Sequence, residues 1–170
     1  MATVIGSPRQ ARVSLAVTPL DRVLAGLSIA LLAVVLVALG RGLPQWERVP
    51  LFVWAHLLTV LVALALTPTM LLSRRGSRLH RKLGWVWASS MFLTAFASLF
   101  VKVSNPGHFS VIHLLSVWTL IQVPVIIWSA RTHNVQRHQR AVRGMVIGAL
   151  LIAGFFTFPF GRLLGHWLMG

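Results

Sequence analysis

Apolar residues run along this chain in five blocks separated by short polar, mostly basic stretches. The blocks are Val23–Gly40, Leu51–Leu72, Leu83–Val103, Ser110–Ala130 and Gly144–Gly161. Each approaches the ~20 residues a helix needs to cross a ~30 Å hydrocarbon core at ~1.5 Å per residue. A membrane β-barrel is excluded, because its strands alternate apolar and polar positions over ~10 residues. Runs such as Ala30–Ala38 are apolar on every side instead, and in lipid a helix satisfies its own backbone. The pattern predicts an all-α polytopic membrane bundle of five transmembrane helices, its core a four-helix bundle from helices two to five. Residues 1–22 read as a cytoplasmic N-terminal tail and 23–170 as one transmembrane bundle domain. No apolar core precedes residue 23, and the first block exceeds the 7–15 residues of a signal peptide, so it reads as a retained helix.

Composition agrees with this pattern. Hydrophobic residues make up 56% of the chain and charged residues 11%, with a mean hydropathy of +0.79. A soluble domain of this length needs far more surface charge. Cysteine is absent, which excludes disulfides, thiolate catalysis, iron–sulfur clusters and haem attached through C-x-x-C-H. The formal net charge of +14 belongs to loops between blocks, where it sets topology and meets anionic lipid. No scaffold gathers it into a nucleic-acid surface.

The basic residues also orient the bundle. Arg9, Arg12 and Arg22, then Arg74, Arg75, Arg78, Arg81 and Lys82, then Arg131, Arg137, Arg140 and Arg143 fall on one side. Only Arg41, Arg48, Lys102 and Arg162 fall on the other. By the positive-inside rule the N-terminus is cytoplasmic and the C-terminus outside, in the inner membrane of a bacterium. Gly40–Pro44 and Ser104–Gly107 are turn-rich breaks on the outer side. Ser77 is the expected N-cap of the third helix, and the fifth is expected to begin near Asn134. Gly144-x-x-x-Gly148 and Gly161-x-x-x-Gly165 have the spacing that lets membrane helices approach closely. Pro124 predicts a kink in the fourth helix.

Histidines carry the candidate chemistry. His56, His80, His113 and His138 lie near the starts of helices two, three, four and five. Successive spans alternate direction, so His56 and His113 share the outer side, and His80 and His138 the cytoplasmic one. His56, Thr59, Ala63 and Thr67 form a polar and small stripe at helical spacing, which turns toward protein. Two imidazoles on facing helices can hold a haem iron from both sides, closing it to oxygen and suiting it to electron transfer. Arg81, Lys82 and Arg140 on the inside, and Arg48 and Lys102 outside, are candidate partners for haem carboxylates. The cofactor expected on this reading is haem b, one or two per chain. Interfacial histidines also serve as amphipathic residues with a wet tip, a reading that suits His108, His133 and His166. For the four-histidine set, a structural role or another metal or quinone site stays open.

Acid chemistry is scarce. Asp21 and Glu47 are the sole carboxylates, and neither falls within the predicted spans. Two-carboxylate hydrolysis is therefore excluded, and the chain has no P-loop. A cation-coupled transporter is disfavoured as well.

The stretch Arg74–Arg143 resembles an uncharacterised bacterial family of multi-pass membrane proteins, a domain of unknown function. The matching residues are His80-Arg81-Lys82-Leu83-Gly84 after an arginine-rich turn, and His138-Gln139-Arg140 with Arg143. His56 and His113 match further histidines of that family, and Ala141-Val142 departs from its aromatic-Met pair. One histidine on each of helices two to five is also similar to the transmembrane diheme b-type cytochromes, which have six helices. That resemblance implies an electron-transfer protein, a membrane oxidoreductase, exchanging electrons with quinone or a small reductant. The alternative is a non-catalytic membrane subunit or assembly factor of a larger membrane complex.

Overall fold

The computed structural model describes residues 15–100, 111–159 and 161–170, and the side chains of Val111 and Ile112 are not described. Arg9, Arg12, Lys102, His108 and the Ser104–Gly107 turn lie outside the described residues. Among these residues every regular element is helical: α1 (Pro19–Arg41), α2 (Leu51–Leu72), α3 (Arg78–Ser98), α4 (Val111–Arg131), α5 (Val135–Met145), α6 (Ala153–Phe155) and α7 (Leu163–Met169). A 3₁₀ turn (Leu43–Arg48) joins α1 to α2, and a π-helical segment (Val146–Ile152) joins α5 to α6. Three stretches, Pro19–Arg41, Leu51–Leu72 and His113–Arg131, are long and apolar enough to cross a membrane, which is compatible with a lipid bilayer. α3 carries Arg78, Arg81 and Lys82 in its first turns, while α5 is short and carries Arg137, Arg140 and Arg143.

Local signals set most helix starts. Thr18 and Asp21 form a reciprocal capping box at the start of α1, with Pro19 following the cap. The helix thus begins four residues before the predicted span and takes Asp21 into its first turn. Ser77 caps α3 as expected, accepting from the His80 N–H at 3.1 Å. Asn134 likewise caps α5, accepting from the Arg137 N–H at 3.1 Å. α2 has the predicted bounds, although Pro68 lies inside it.

Two expectations are corrected. The core is not confined to helices two to five, because α1 packs along α2 and against the π segment. Leu24 and Ala25 of α1 join Leu64, Met91, Met145 and Val146 in the main core. The fifth block also ends early. Its helical path stops at Phe155, Gly161 takes φ +65°, and α7 folds back onto α1. Pro159 cannot continue a helix, and Gly161 supplies the left-handed turn that follows. Gly161 is therefore a turn residue and not half of a helix-packing motif. Gly165 does mark a close approach, since a Cβ there would strike the Phe158 carbonyl oxygen. The Trp167 indole N–H donates to Gln45 Oε1 at 2.9 Å, fixing α7 beside the 3₁₀ turn.

Along the α2–α3 seam the expected polar stripe faces protein. Thr94 donates to Thr59 across the seam at 2.7 Å, and the Trp87 indole N–H donates to Thr67 at 3.0 Å. The Thr67 hydroxyl in turn donates to the Ala63 carbonyl at 2.7 Å.

Candidate functional site

The basic end of the bundle gathers the start of α1, the α2–α3 loop, the end of α4 and the start of α5. Between them lies a cavity of about 600 Å³, within the ~300–1,000 Å³ range of small-molecule sites. Its walls are mainly apolar, with Met70, Leu71, Trp87, Ala88, Ile126, Ile127, Val142 and Val146 among them. His80 and His138 both line it, as do Arg75, Arg81, Arg131, Arg143 and Asp21.

Helix geometry explains the two histidines. His80 stands in the first turn of α3, set by the Ser77 cap, and its Nδ1 lies 3.4 Å from the Ser73 hydroxyl. His138 stands in the first turn of α5, set by the Asn134 cap. Its Nδ1 lies 3.1 Å from the Ile126 carbonyl of α4, which can only accept. Nδ1 therefore holds the proton, and the neutral ring keeps its lone pair on Nε2. Metal-binding histidines are oriented by this kind of bond. Burial pushes His80 below its ordinary value, with His138 and Arg75 adding to the effect. Burial also lowers His138, against the Ile126 hydrogen bond and with the help of Arg75. Both rings are held toward the neutral, ligating form.

Beside them sits an ion cluster that sequence reasoning missed. Asp21 is fully buried, and its carboxylate accepts from the Thr18 N–H at 2.8 Å and the Thr18 hydroxyl at 2.9 Å. Arg143 reaches it by a fork, Nε to Oδ1 at 2.9 Å and Nη2 to Oδ2 at 3.0 Å. Arg75 pairs with the same Oδ2. Two guanidiniums thus share one carboxylate. The remaining terminal nitrogen of Arg75, Nη1, is buried without a hydrogen-bond partner among the described residues.

The other expected site residues lie elsewhere. His56 Nδ1 is 3.2 Å from the Thr94 carbonyl and 2.9 Å from the Ser98 hydroxyl, both on α3. His113 begins α4, which packs on α3 and α5 and shares no extended packing with α2. Arg140 is not at the histidine cavity. It lines a second groove between α4 and α5 with Arg137, Gln122 and Trp118. Lys82 and Arg48 are exposed, and Lys82 does not line the histidine cavity. Of the expected cytoplasmic cations only Arg81 lines that cavity, and its Nη1 also donates to the Gly76 carbonyl at 2.8 Å. Among the described residues no three His, Asp or Glu side chains converge as a metal site. A pair of imidazoles is a different donor set, suited to a metal whose other ligands come with it.

Comparison with protein-family models, with curated proteins and with solved structures finds no match.

Proposed function

We propose that this chain is a membrane electron-transfer protein of b-type cytochrome character, with one haem held between His80 and His138. One observation carries the reading: two imidazoles, both shifted by burial toward the neutral form, line a single, mainly apolar cavity of about 600 Å³ that also carries arginines. The residues fit the group. The Ile126 carbonyl orients His138 through Nδ1, the walls suit a porphyrin face, and the arginines suit its carboxylates. A bound haem would supply a one-electron carrier at this site. His80 and His138 would hold the group by their imidazole nitrogens, while the apolar walls would exclude water and the arginines would neutralise its acid groups.

The cavity lies at the basic end, which we read as cytoplasmic. On this reading the apolar stretches of α3 and of the helical path from α5 through α6, which begin beyond His80 and His138, also cross the bilayer, giving five spans in a bacterial inner membrane. A quinone in the adjoining leaflet is then the natural electron partner. The outer pair is left out of this reading, because the helices carrying His56 and His113 each pack on α3 and share no extended packing with one another.

Purification from haem-supplied cells, followed by a reduced-minus-oxidised spectrum, tests the reading. A sharp visible α band is expected. Its absence rejects haem and leaves the non-catalytic subunit, for which stable co-purifying membrane partners are the expected sign.

A further inference from the structure

The arginine end of the cavity has a charge problem that the histidines do not explain. Arg75 and Arg143 both use Asp21, so the cluster keeps one net positive charge after pairing. Arg81 and Arg131, both exposed, also line the cavity, and Asp21 is the sole carboxylate along the lining. Nη1 of Arg75, which has no partner among the described residues, lies in this same cluster. Positive charge withdrawn from water favours an anion beside it. The apolar part of the lining, such as Leu71, Trp87 and Ile126, offers a small inorganic anion nothing. A neutral lipid would suit those walls and leave the charge unmet. An amphipathic acid answers both demands.

We infer that this end of the cavity receives the acid group, carboxylate or phosphate, of an amphipathic ligand whose apolar body lies along the walls. Arg75 is the receiving group, while Asp21 and Arg143 position its guanidinium. The inference rests on the reading of this cavity as a ligand site, although it does not require iron there. Haem, with two carboxylates, is one source of the acid group, and an acidic membrane lipid is the other.

The test uses the full chain purified in detergent and two acid–ester pairs: haem with its dimethyl ester, and a dibrominated stearate with its methyl ester. Trp85 and Trp87 line the cavity, so quenching of tryptophan fluorescence reports occupancy by either pair. One charge-assisted hydrogen bond predicts that the acid binds about tenfold tighter than its ester or better in at least one pair. Arg75→Gln is expected to shrink that preference to roughly threefold or less, as the charge-assisted contact is lost. Arg78→Gln, exposed and outside the cavity, leaves it intact. Esters binding as tightly as acids in both pairs, or no binding by any of the four probes, would overturn the inference. So would an acid preference that survives in a folded Arg75→Gln protein. The acid–ester comparison on the unmodified chain needs no variant, so a poorly folded Arg75→Gln leaves the test standing. Stearate preferred over its ester while haem binds in neither form sinks the haem reading and supports the inference. Haem and its ester binding equally, both with a low-spin spectrum, while stearate also binds no better than its ester, does the reverse.

Discussion

Arg143 of α5 grips Asp21 of α1 through two parallel hydrogen bonds, 2.9 and 3.0 Å long, across 122 residues of chain. This fork ties the first helix to the fifth at the rim of the histidine cavity, and Arg75 adds the α2–α3 loop to the same carboxylate. Removing the shared acid would leave two guanidiniums opposed in a poorly hydrated place. Asp21→Ala is therefore expected to lower stability by about 3–5 kcal/mol. Thermal unfolding in detergent reads this directly. Glu47→Gln, at an exposed position, should stay within about 0.5 kcal/mol.

Titration should leave a mark on stability. His80 and His138 are both pushed below the ordinary histidine value near 6.5 by burial. A group of this kind binds fewer protons when folded than when unfolded. Its contribution is fully present above the unfolded value and is lost as pH falls below that value toward the depressed folded one. The unfolding midpoint should thus drop between neutral pH and about pH 5, a window set by the unfolded value. His80→Gln/His138→Gln should flatten that slope, and an unchanged slope would show that other groups set it.

The Trp87–Thr67 bond tests the seam between α2 and α3. Thr67→Val keeps the shape but leaves a buried indole N–H unsatisfied, a loss of about 1–3 kcal/mol. Trp87→Phe added to it removes the orphaned donor, so the double variant should lose less than the two single changes together. Chemical denaturation of the four proteins measures the coupling.

At the opposite end, Gly165→Ala drives a Cβ into the Phe158 carbonyl. A loss of about 1–3 kcal/mol is expected, since the backbone must move. Limited proteolysis should then release the α7 segment faster. Gly26→Ala is the contrast, because nothing lies within 4 Å of its Cβ; it should gain about 0.5–1 kcal/mol from helix propensity.

What was legible in the chain was what local chemistry decides. Ser77 and Asn134 announce their helices by capping, and the polar stripe of His56, Thr59 and Thr67 shows which face of α2 turns inward. Partnership across the chain was not legible. Thr18-Pro19-Leu20-Asp21 carries a capping-box signature that would have placed Asp21 inside α1, yet nothing in it names Arg75 or Arg143. A finer use of helix geometry would have removed two expected cations. Lys82 and Arg140 each stand two residues beyond a cavity histidine, about 200° around the helix. The early end of the fifth helix was present as Pro159 and Gly161, but the apolar run through Phe155, Phe156 and Phe158 masked it. That the first helix belongs to the core follows from packing, which no single pattern encodes.

The central claim, one haem between His80 and His138, meets its most direct test in haem content per chain across four single variants. His80→Ala and His138→Ala should each abolish low-spin haem binding, while His56→Ala and His113→Ala should keep about one haem per chain, because His80 and His138 would hold the group without them. Full haem content in His80→Ala and His138→Ala, or its loss only in His56→Ala and His113→Ala, would contradict the account.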